Sequence, residues 1–301
     1  MSLFAALILD WAITAAWPLI GAAGMRLYSG IPFVTGGLLI GMLLLAPLLG
    51  ARRWRMILSR QLGPSLFLMA LSAGIASAVF VSALAFTTPA NAAITAQIEV
   101  LYSALLCAWL LKEPFTLRQS AAAALVVAGT GLIMGRDLSS TRWRGDLMIL
   151  STPWLYQLAH IASKRLPPEL DALTVSGGRV FYGLLTMLPF AAGSLALGGR
   201  WTWSREGLLA LGLQGALLSS LNFVLWYRAI RNMDLTKATT IMLSYPALTL
   251  LMSWALGHEP IDGLQIAGLV ITMAGAFWTS RQLFQTQKHL PARGQLPPKT
   301  V

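Results

Sequence analysis

The sequence predicts an all-α polytopic membrane protein, on three observations. The 301 residues are 56% hydrophobic and only 11% charged, with a mean hydropathy of +0.67, whereas soluble domains carry about 25% charged residues. Apolar windows long enough to cross about 30 Å of hydrocarbon recur ten times with short gaps between them. The charge is also lopsided, with 22 Lys and Arg against 11 Asp and Glu. In a soluble chain that excess would suggest nucleic acid as a partner. Confined to gaps between apolar windows it sets orientation instead, so the expected partner is the lipid bilayer and no nucleic acid.

Breaks at Pro, Gly and charge place the first five windows at Leu3 to Met25, Ile31 to Leu49, Leu62 to Phe86, Pro89 to Leu111 and Leu117 to Gly135. The other five are Asp146 to Ser163, Ala172 to Gly198, Gly207 to Ile230, Leu235 to Gly257 and Gly263 to Ser280. The first lacks a basic n-region and is too long for a signal-peptide core, so it reads as a retained span. The single cysteine, Cys107, lies inside an apolar window and excludes a disulfide framework or a Cys-based metal site. The polar segment 282–301, with Pro291, Pro297 and Pro298, reads as a disordered tail.

An even number of spans puts both ends on one side, and the basic residues choose it. With both termini cytoplasmic, fifteen Lys and Arg lie inside, among them Arg52, Arg53, Arg55, Arg60, Lys164 and Arg165. Six lie outside: Arg26, Arg136, Arg142, Arg144, Arg200 and Arg205. Arg179 falls within a span.

The chain also repeats itself. A shift of 146 residues superposes Ala92, Leu105, Glu113, Pro114, Gln119 and Gly129 on Ala238, Leu251, Glu259, Pro260, Gln265 and Gly275. A shift of 142 superposes Gly36, Gly41 and Pro47 on Gly178, Gly183 and Pro189, and one of 137 puts Trp17 on Trp154. Each half is therefore one five-span unit, and because five is odd the second enters the membrane upside down relative to the first. The expected organisation is a first repeat over 1–135, a periplasmic linker at 136–145, an inverted second repeat over 146–281 and the tail.

Ionisable groups within spans cost at least about 2.5 kcal/mol each at a helix centre, so each is a functional candidate. Glu99 sits near the middle of its window, and Asn91, Thr95, Glu99 and Tyr102 recur at helical spacing as a polar stripe that should face a cavity. Its mirror reads Lys237, Ile241, Tyr245 and Thr249, which sets Glu99 opposite Tyr245. The carboxylate would bind a substrate ammonium or carry a proton; the alternative is a structural carboxyl bonded inside the bundle. Arg179 lies two turns into its span, deep enough to reach a carboxylate and near enough to snorkel to the surface. Asp10 reads as a partner for a basic residue, and His160 as a proton-linked group or a packing residue.

Prolines pair across the halves, Pro18 with Pro153 and Pro47 with Pro189. Each frees helical carbonyls, Thr14 and Ile149 in the first pair, and matched interruptions point to the centre of an inverted-repeat carrier. Trp17 and Trp154 beside them are candidates for apolar or cation–π contact, with packing as the alternative. Asn222 in the eighth window completes the polar candidates. Trp54, Trp143, Trp201 and Trp203 read as interface-belt residues. Small residues recur every fourth position as Ser120, Ala124, Ala128 and as Gly268, Thr272, Ala276, Ser280, which suits close helix contact within one monomer or across a homodimer.

Two five-span units, each with a span, a Glu-Pro link and a small-residue span, resemble the tandem EamA domains of the drug/metabolite transporter superfamily. The residues that carry this are Leu110-Leu111-Lys112-Glu113-Pro114 with Ala128-Gly129, and Leu256-Gly257-His258-Glu259-Pro260 with Ala274-Gly275. Arg179 stands early in span 7, where this family often has an arginine. Gly37 occupies the matching place in the first half, and Trp17-Pro18 replaces a frequent Trp-Gly. The resemblance implies a secondary carrier of the bacterial inner membrane with a cavity lined by spans 1, 3, 4, 6, 8 and 9, and no cofactor. No enzyme motif is present. A zwitterion such as an amino acid, moving outward, would use Glu99 and Arg179 together, and protons would be a second partner. A hydrophobic cation would need only Glu99 and the tryptophans. A non-transporting scaffold or sensor is the competing class.

Overall fold

The computed structural model describes residues 3–102, 105, 117–137, 140, 142–163, 165–167, 169–232, 242–258 and 260–289. The Lys112-Glu113-Pro114 link, Cys107, Lys164, Lys237, Ile241, Glu259, the end of the fourth window and the start of the ninth lie outside them, as do residues 290–301. No side-chain description covers His160.

Ten helical segments follow one another along the described chain. They are α1 (Leu3–Met25), α2 (Gly30–Ile57), α3 (Gly63–Ala83), α4 (Pro89–Thr95), α5 (Leu117–Asp137), α6 (Arg142–Ser163) and α7 (Ala172–Ala196). Next comes α8, built from Arg205–Leu213, a π-helical stretch Gln214–Leu221 and Asn222–Asn232; α9 (Tyr245–Ala255) and α10 (Gly263–His289) complete the set. Five of them, α1, α2, α3, α7 and α8, are long and apolar enough by themselves to cross a membrane.

Local chemistry sets the ends. Thr88, Asp171 and Ser204 cap α4, α7 and α8 by accepting the backbone N–H three residues on. Pro18, Pro47, Pro153 and Pro189 all lie inside helices. Gly50 takes φ 62° and ψ 166° inside α2, a conformation open to glycine. The helix turns there, so the apolar part ends at Leu49 as the sequence implies and Arg52, Arg53, Trp54 and Arg55 continue in a different direction. Trp54 is thus helical rather than in a loop, and packs edge-on against Phe181 at 5.4 Å.

Helices exceed the expected windows in three places. α5 reaches Asp137 and α6 begins at Arg142, which leaves only 138–141 of the expected linker at 136–145 outside them. The Ser140 hydroxyl accepts the Arg142 N–H at 3.2 Å and starts α6 early. α10 runs on to His289, through residues that read as the start of the disordered tail; Arg, Gln, Leu and Lys there are good helix formers that extend an existing helix without a new nucleus.

The packing partners exchange with the two halves of the chain. α2 packs on α7, α4 on α9 and α5 on α10; α1 packs on α8 as α6 does on α3, α1 on α9 as α6 on α4, and α2 on α8 as α7 on α3. Directions follow from the contacts. Gly177 abuts Leu49 whereas Gly183 abuts Leu38, so α2 and α7 are antiparallel; Gly36 meets Leu211 and Gly41 meets Ser219, so α2 and α8 are parallel. α3 and α7 are parallel too, through Leu66 with Gly178 and Gly74 with Met187. α2 and α7, five apart in order, therefore run in opposite senses.

α5 and α10 cross closely because Gly129 lies against Thr272 and Gly268, and Gly275 against Val126 and Ala122. The small stripe Gly268, Thr272, Ala276 of α10 is thus spent inside the monomer. The matching stripe of α5 is not: Ser120, Ala124 and Ala128 are exposed, and Ala122, Val126, Gly129 and Ile133 form the packing face.

Candidate functional site

Arg179 is the eighth residue of α7, about 10 Å along it at 1.5 Å per residue. Its guanidinium does not turn back to the surface. It lies over the Phe223 ring of α8 at 3.9 Å from the centroid, and has neither a carboxylate nor a hydrogen-bond partner among the described residues. It borders a pocket of about 30 Å³ with Ala73, Gly74, Ser77, Gly183 and Ser219, room for about two waters. The mirror position is Gly37, whose missing side chain is replaced by Gln214 of α8, so one half alone presents a cation here.

Ser77 leads out of this pocket. Its hydroxyl lies 3.2 Å from the Tyr156 hydroxyl of α6, and Tyr156 feels both the Arg179 and the Glu99 charges. Tyr156 also meets the Trp17 ring edge-on at 6.4 Å, and Trp17 stacks on Phe80 at 4.1 Å. Glu99 Oε1 accepts the Gln157 amide of α6 at 3.3 Å. Tyr245 joins the group, within reach of the Glu99 charge, and its hydroxyl donates to the Ala93 carbonyl at 3.4 Å. Arg179 and Ser77 thus share one pocket, Ser77 meets Tyr156, and Gln157, next to Tyr156 on α6, holds Glu99, with Trp17 and Phe80 on the flank of Tyr156.

Tyr156 and Gln157 were not legible as site residues. Both follow Pro153 on the inner side of α6, and the only signal was the polar pair itself in an apolar window.

The stripe on α4 does not face one cavity. Helical twist changes at a 3-10 turn, Ala96–Ile98, which adds 120° per residue instead of 100°. Asn91 accordingly points to α10, accepting from the Gln265 amide at 3.1 Å. Thr95 is fully buried, its hydroxyl without a hydrogen-bond partner among the described residues. Beyond the turn, Glu99 reaches α6 and Tyr102 stacks on Trp154 at 4.4 Å. Trp154 is 43% exposed and shares the outer face of α6 with Leu147 and Leu158, so the two mirrored tryptophans do not meet: Trp17 faces the interior and Trp154 faces out.

Asn222 is also committed elsewhere. Its amide donates to Asp10 Oδ1 at 2.8 Å and Thr14 Oγ1 at 3.0 Å, so Asp10 partners a neutral amide and not the basic residue expected. Of the two carbonyls expected to be freed by the paired prolines, that of Ile149 does not stand open. Ile149 accepts from Thr152 Oγ1 at 2.9 Å, and Ala15, three residues before Pro18, accepts from Thr249 Oγ1 at 2.9 Å. No group of three or more His, Cys, Asp or Glu gathers to hold a metal among the described residues.

Charged loops fall at two ends. Arg53 pairs with Asp171 at 2.8 Å at one, joining α2 to α7. At the other, Arg26 meets His258 at 3.3 Å, Arg200 donates to the Met25 carbonyl at 2.9 Å, and Trp201 packs on Tyr28 at 4.8 Å.

Comparison with known proteins agrees with this architecture. A solved crystal structure superposes with a TM-score of 0.65 over 96% of this chain and 100% of its own, at 17% identity. An uncharacterized transporter of Archaeoglobus fulgidus is 27% identical over 208 residues, 67% of this chain and 71% of that one. A probable amino-acid metabolite efflux pump of Salmonella typhimurium is 23% identical over 205 residues, covering 65% and 69%. The family model for EamA-like transporters matches residues 2–135 and again 143–281; the chain is a multi-pass membrane protein and belongs to the EamA-like transporter family.

Proposed function

We propose that this protein is a secondary carrier that exports a small zwitterionic metabolite, an amino acid or a close relative, across the bacterial inner membrane by alternating access. Ten spans with both termini cytoplasmic, arranged as two inverted units, give the scaffold. The observation that carries the reading is that Arg179, with no carboxylate or hydrogen-bond partner among the described residues, and Glu99 both lie by the Tyr156–Gln157 pair of α6, Arg179 on the Ser77 side and Glu99 on Gln157. A guanidinium offers a fork to a carboxylate, a carboxylate accepts an ammonium, and Ser77, Tyr156 and Gln157 bring only hydroxyls and an amide. The name of the Salmonella relative supports the substrate class. The 30 Å³ pocket is too small for an amino acid, so binding requires α7 and α8 to separate from α3, which fits a carrier that opens to one side at a time.

A second reading has support in the aromatic flank. Trp17, Phe80 and Tyr156 beside Glu99 would suit a hydrophobic cation, and Arg179 would then oppose binding.

Counterflow in proteoliposomes loaded in turn with amino acids, purines, sugar phosphates and quaternary ammonium dyes decides between them. Saturable exchange of amino acids, weakened in both Glu99→Gln and Arg179→Gln, is expected. Exchange of the dyes alone, faster in Arg179→Gln, would replace the first reading with the second. Absence of any exchange would return the protein to the scaffold or sensor class.

A further inference from the structure

Asp10 is fully buried, two turns into the first apolar helix, and its two oxygens differ. Oδ1 accepts the Asn222 amide at 2.8 Å; Oδ2 is buried with no hydrogen-bond partner among the described residues. α1 packs against α2, α3, α4, α8 and α9, and none of these brings a cation to it among the described residues. Arg52, Arg53 and Arg55 lie beyond the Gly50 turn of α2, and α3 has no charged residue. Past the 3-10 turn that follows α4, Glu99 is held by Gln157. On α8, Arg228 is exposed and the Tyr227 hydroxyl points to Met69 Sδ at 3.5 Å; on α9, Tyr245 faces Ala93.

An isolated buried carboxylate is far too costly to persist ionised without a partner. A proton on Oδ2 removes the charge and leaves the Asn222 bond intact. The place of Asn222 matters equally. It directly follows the π-helical stretch Gln214–Leu221, a backbone form that concentrates at functional sites, and the next residue is Phe223, the ring beneath Arg179. Two consecutive residues of α8 thus grip the acidic site on α1 and the basic site on α7. On α1 itself Asp10, Thr14 and Trp17 share one face at spacings of four and three, which leads from the carboxyl to Tyr156.

We infer that Asp10, with Asn222 and Thr14, is a second polar site of this carrier that binds and releases a proton on Oδ2, and that α8 links its protonation to the Arg179 pocket. The inference adds an ion site to the proposed export function, resting on it only for what the proton drives.

The test needs no substrate, so its outcome is independent of whether any solute exchanges. The carbonyl-stretch infrared band of a protonated carboxylic acid is recorded across pH for purified protein in lipid. Wild type should show a titrating band that is lost in Asp10→Asn, which keeps the shape of the protonated acid, kept in Glu99→Gln, and displaced but retained in Asp10→Glu. Arg179→Gln should move its titration midpoint. A band unaffected by Asp10→Asn, or no band at any pH, overturns the site; a midpoint unmoved by Arg179→Gln overturns the link through α8.

Discussion

Replacing Arg179 by Met separates a binding role from a structural one, because the two predict opposite changes in stability. A cation near a helix centre costs about 2.5–3.5 kcal/mol on the insertion scale. Arg179 recovers part of this from Phe223 at 3.9 Å, about 2 kcal/mol for a desolvated cation–π contact, and nothing from an ion pair. The residue is therefore held at a net disadvantage of roughly 0.5–1.5 kcal/mol, which Met, of similar length and apolar, removes. Arg179→Met should unfold at the same temperature or higher, in a detergent thermal-shift assay where 1 kcal/mol corresponds to about 2–4 °C. The same change should cost a carboxylate-bearing substrate a charge-assisted hydrogen bond of about 1.5–3 kcal/mol, or roughly 10- to 150-fold in affinity at tenfold per 1.4 kcal/mol. A variant that melts lower and exchanges solute with unchanged affinity would refute the reasoning and make Arg179 a packing residue.

Gly275→Ala puts a methyl 2.7 Å from the Val126 nitrogen and 2.8 Å from the Ala122 carbonyl oxygen, so it should destabilise by about 1–3 kcal/mol. Gly131→Ala, with nothing within 4 Å, should be neutral or gain helix propensity; equal melting temperatures for the two would show that the α5–α10 crossing is looser than described. Gly37→Arg would set a second arginine against Gln214 and Ser219, and is expected to lower folded yield in the membrane, with no gain in exchange. At the Arg53–Asp171 end, burial pushes the Asp171 carboxyl up, but the Thr174 hydrogen bonds and the Arg53 contact outweigh it and hold the group below the usual carboxylate value. A depressed carboxylate contributes stability at neutral pH that disappears as pH falls through its folded value, and with both side chains more than a third exposed the pair contributes under about 1 kcal/mol. Asp171→Asn should flatten this acid-side loss in a pH-resolved melting series while keeping most of the cap; an unchanged slope would remove Asp171 from the acid response.

What was legible in the sequence was whatever repeats or costs energy in lipid. Hydropathy and proline marked where most of the described helices start, though α2 and α10 run eight and nine residues past their windows, and shifts of 142 and 146 paired Gly36 with Gly178 and Gly129 with Gly275, glycines that the structure places at helix crossings. Glu99, Arg179 and Asp10 stood out as ionisable groups in apolar windows. What those groups touch was not legible, because one backbone irregularity re-aims several side chains. The 3-10 turn at Ala96–Ile98 divides the α4 stripe, and the π-helical stretch in α8 has no signature that separates it from the regular α3 it mirrors. Helical periodicity assumes a constant 100° per residue, and it fails where that changes. Trp154 escaped for a related reason: an aromatic residue next to a mirrored proline has no sequence mark of which neighbour it faces.

The scaffold and the chemistry obey different symmetries. Packing exchanges cleanly between the halves, α1 on α8 with α6 on α3 and α2 on α8 with α7 on α3, whereas each ionisable interior group has a neutral counterpart: Arg179 opposes Gly37, and Glu99 opposes Tyr245. For a carrier of the proposed kind, near-equal halves let two conformations of similar free energy interconvert by rocking one unit against the other. A fully symmetric set of charges would give two sites, each with one sign, and would hold a zwitterion in either sense. One cation on α7 and one carboxylate past α4, flanking the Tyr156–Gln157 pair of α6, would give a single site with a defined polarity. That polarity depends on Gln214 filling the space above Gly37, so the residue that makes the two halves unequal is a neutral amide on α8, nine residues before the Phe223 ring that holds Arg179.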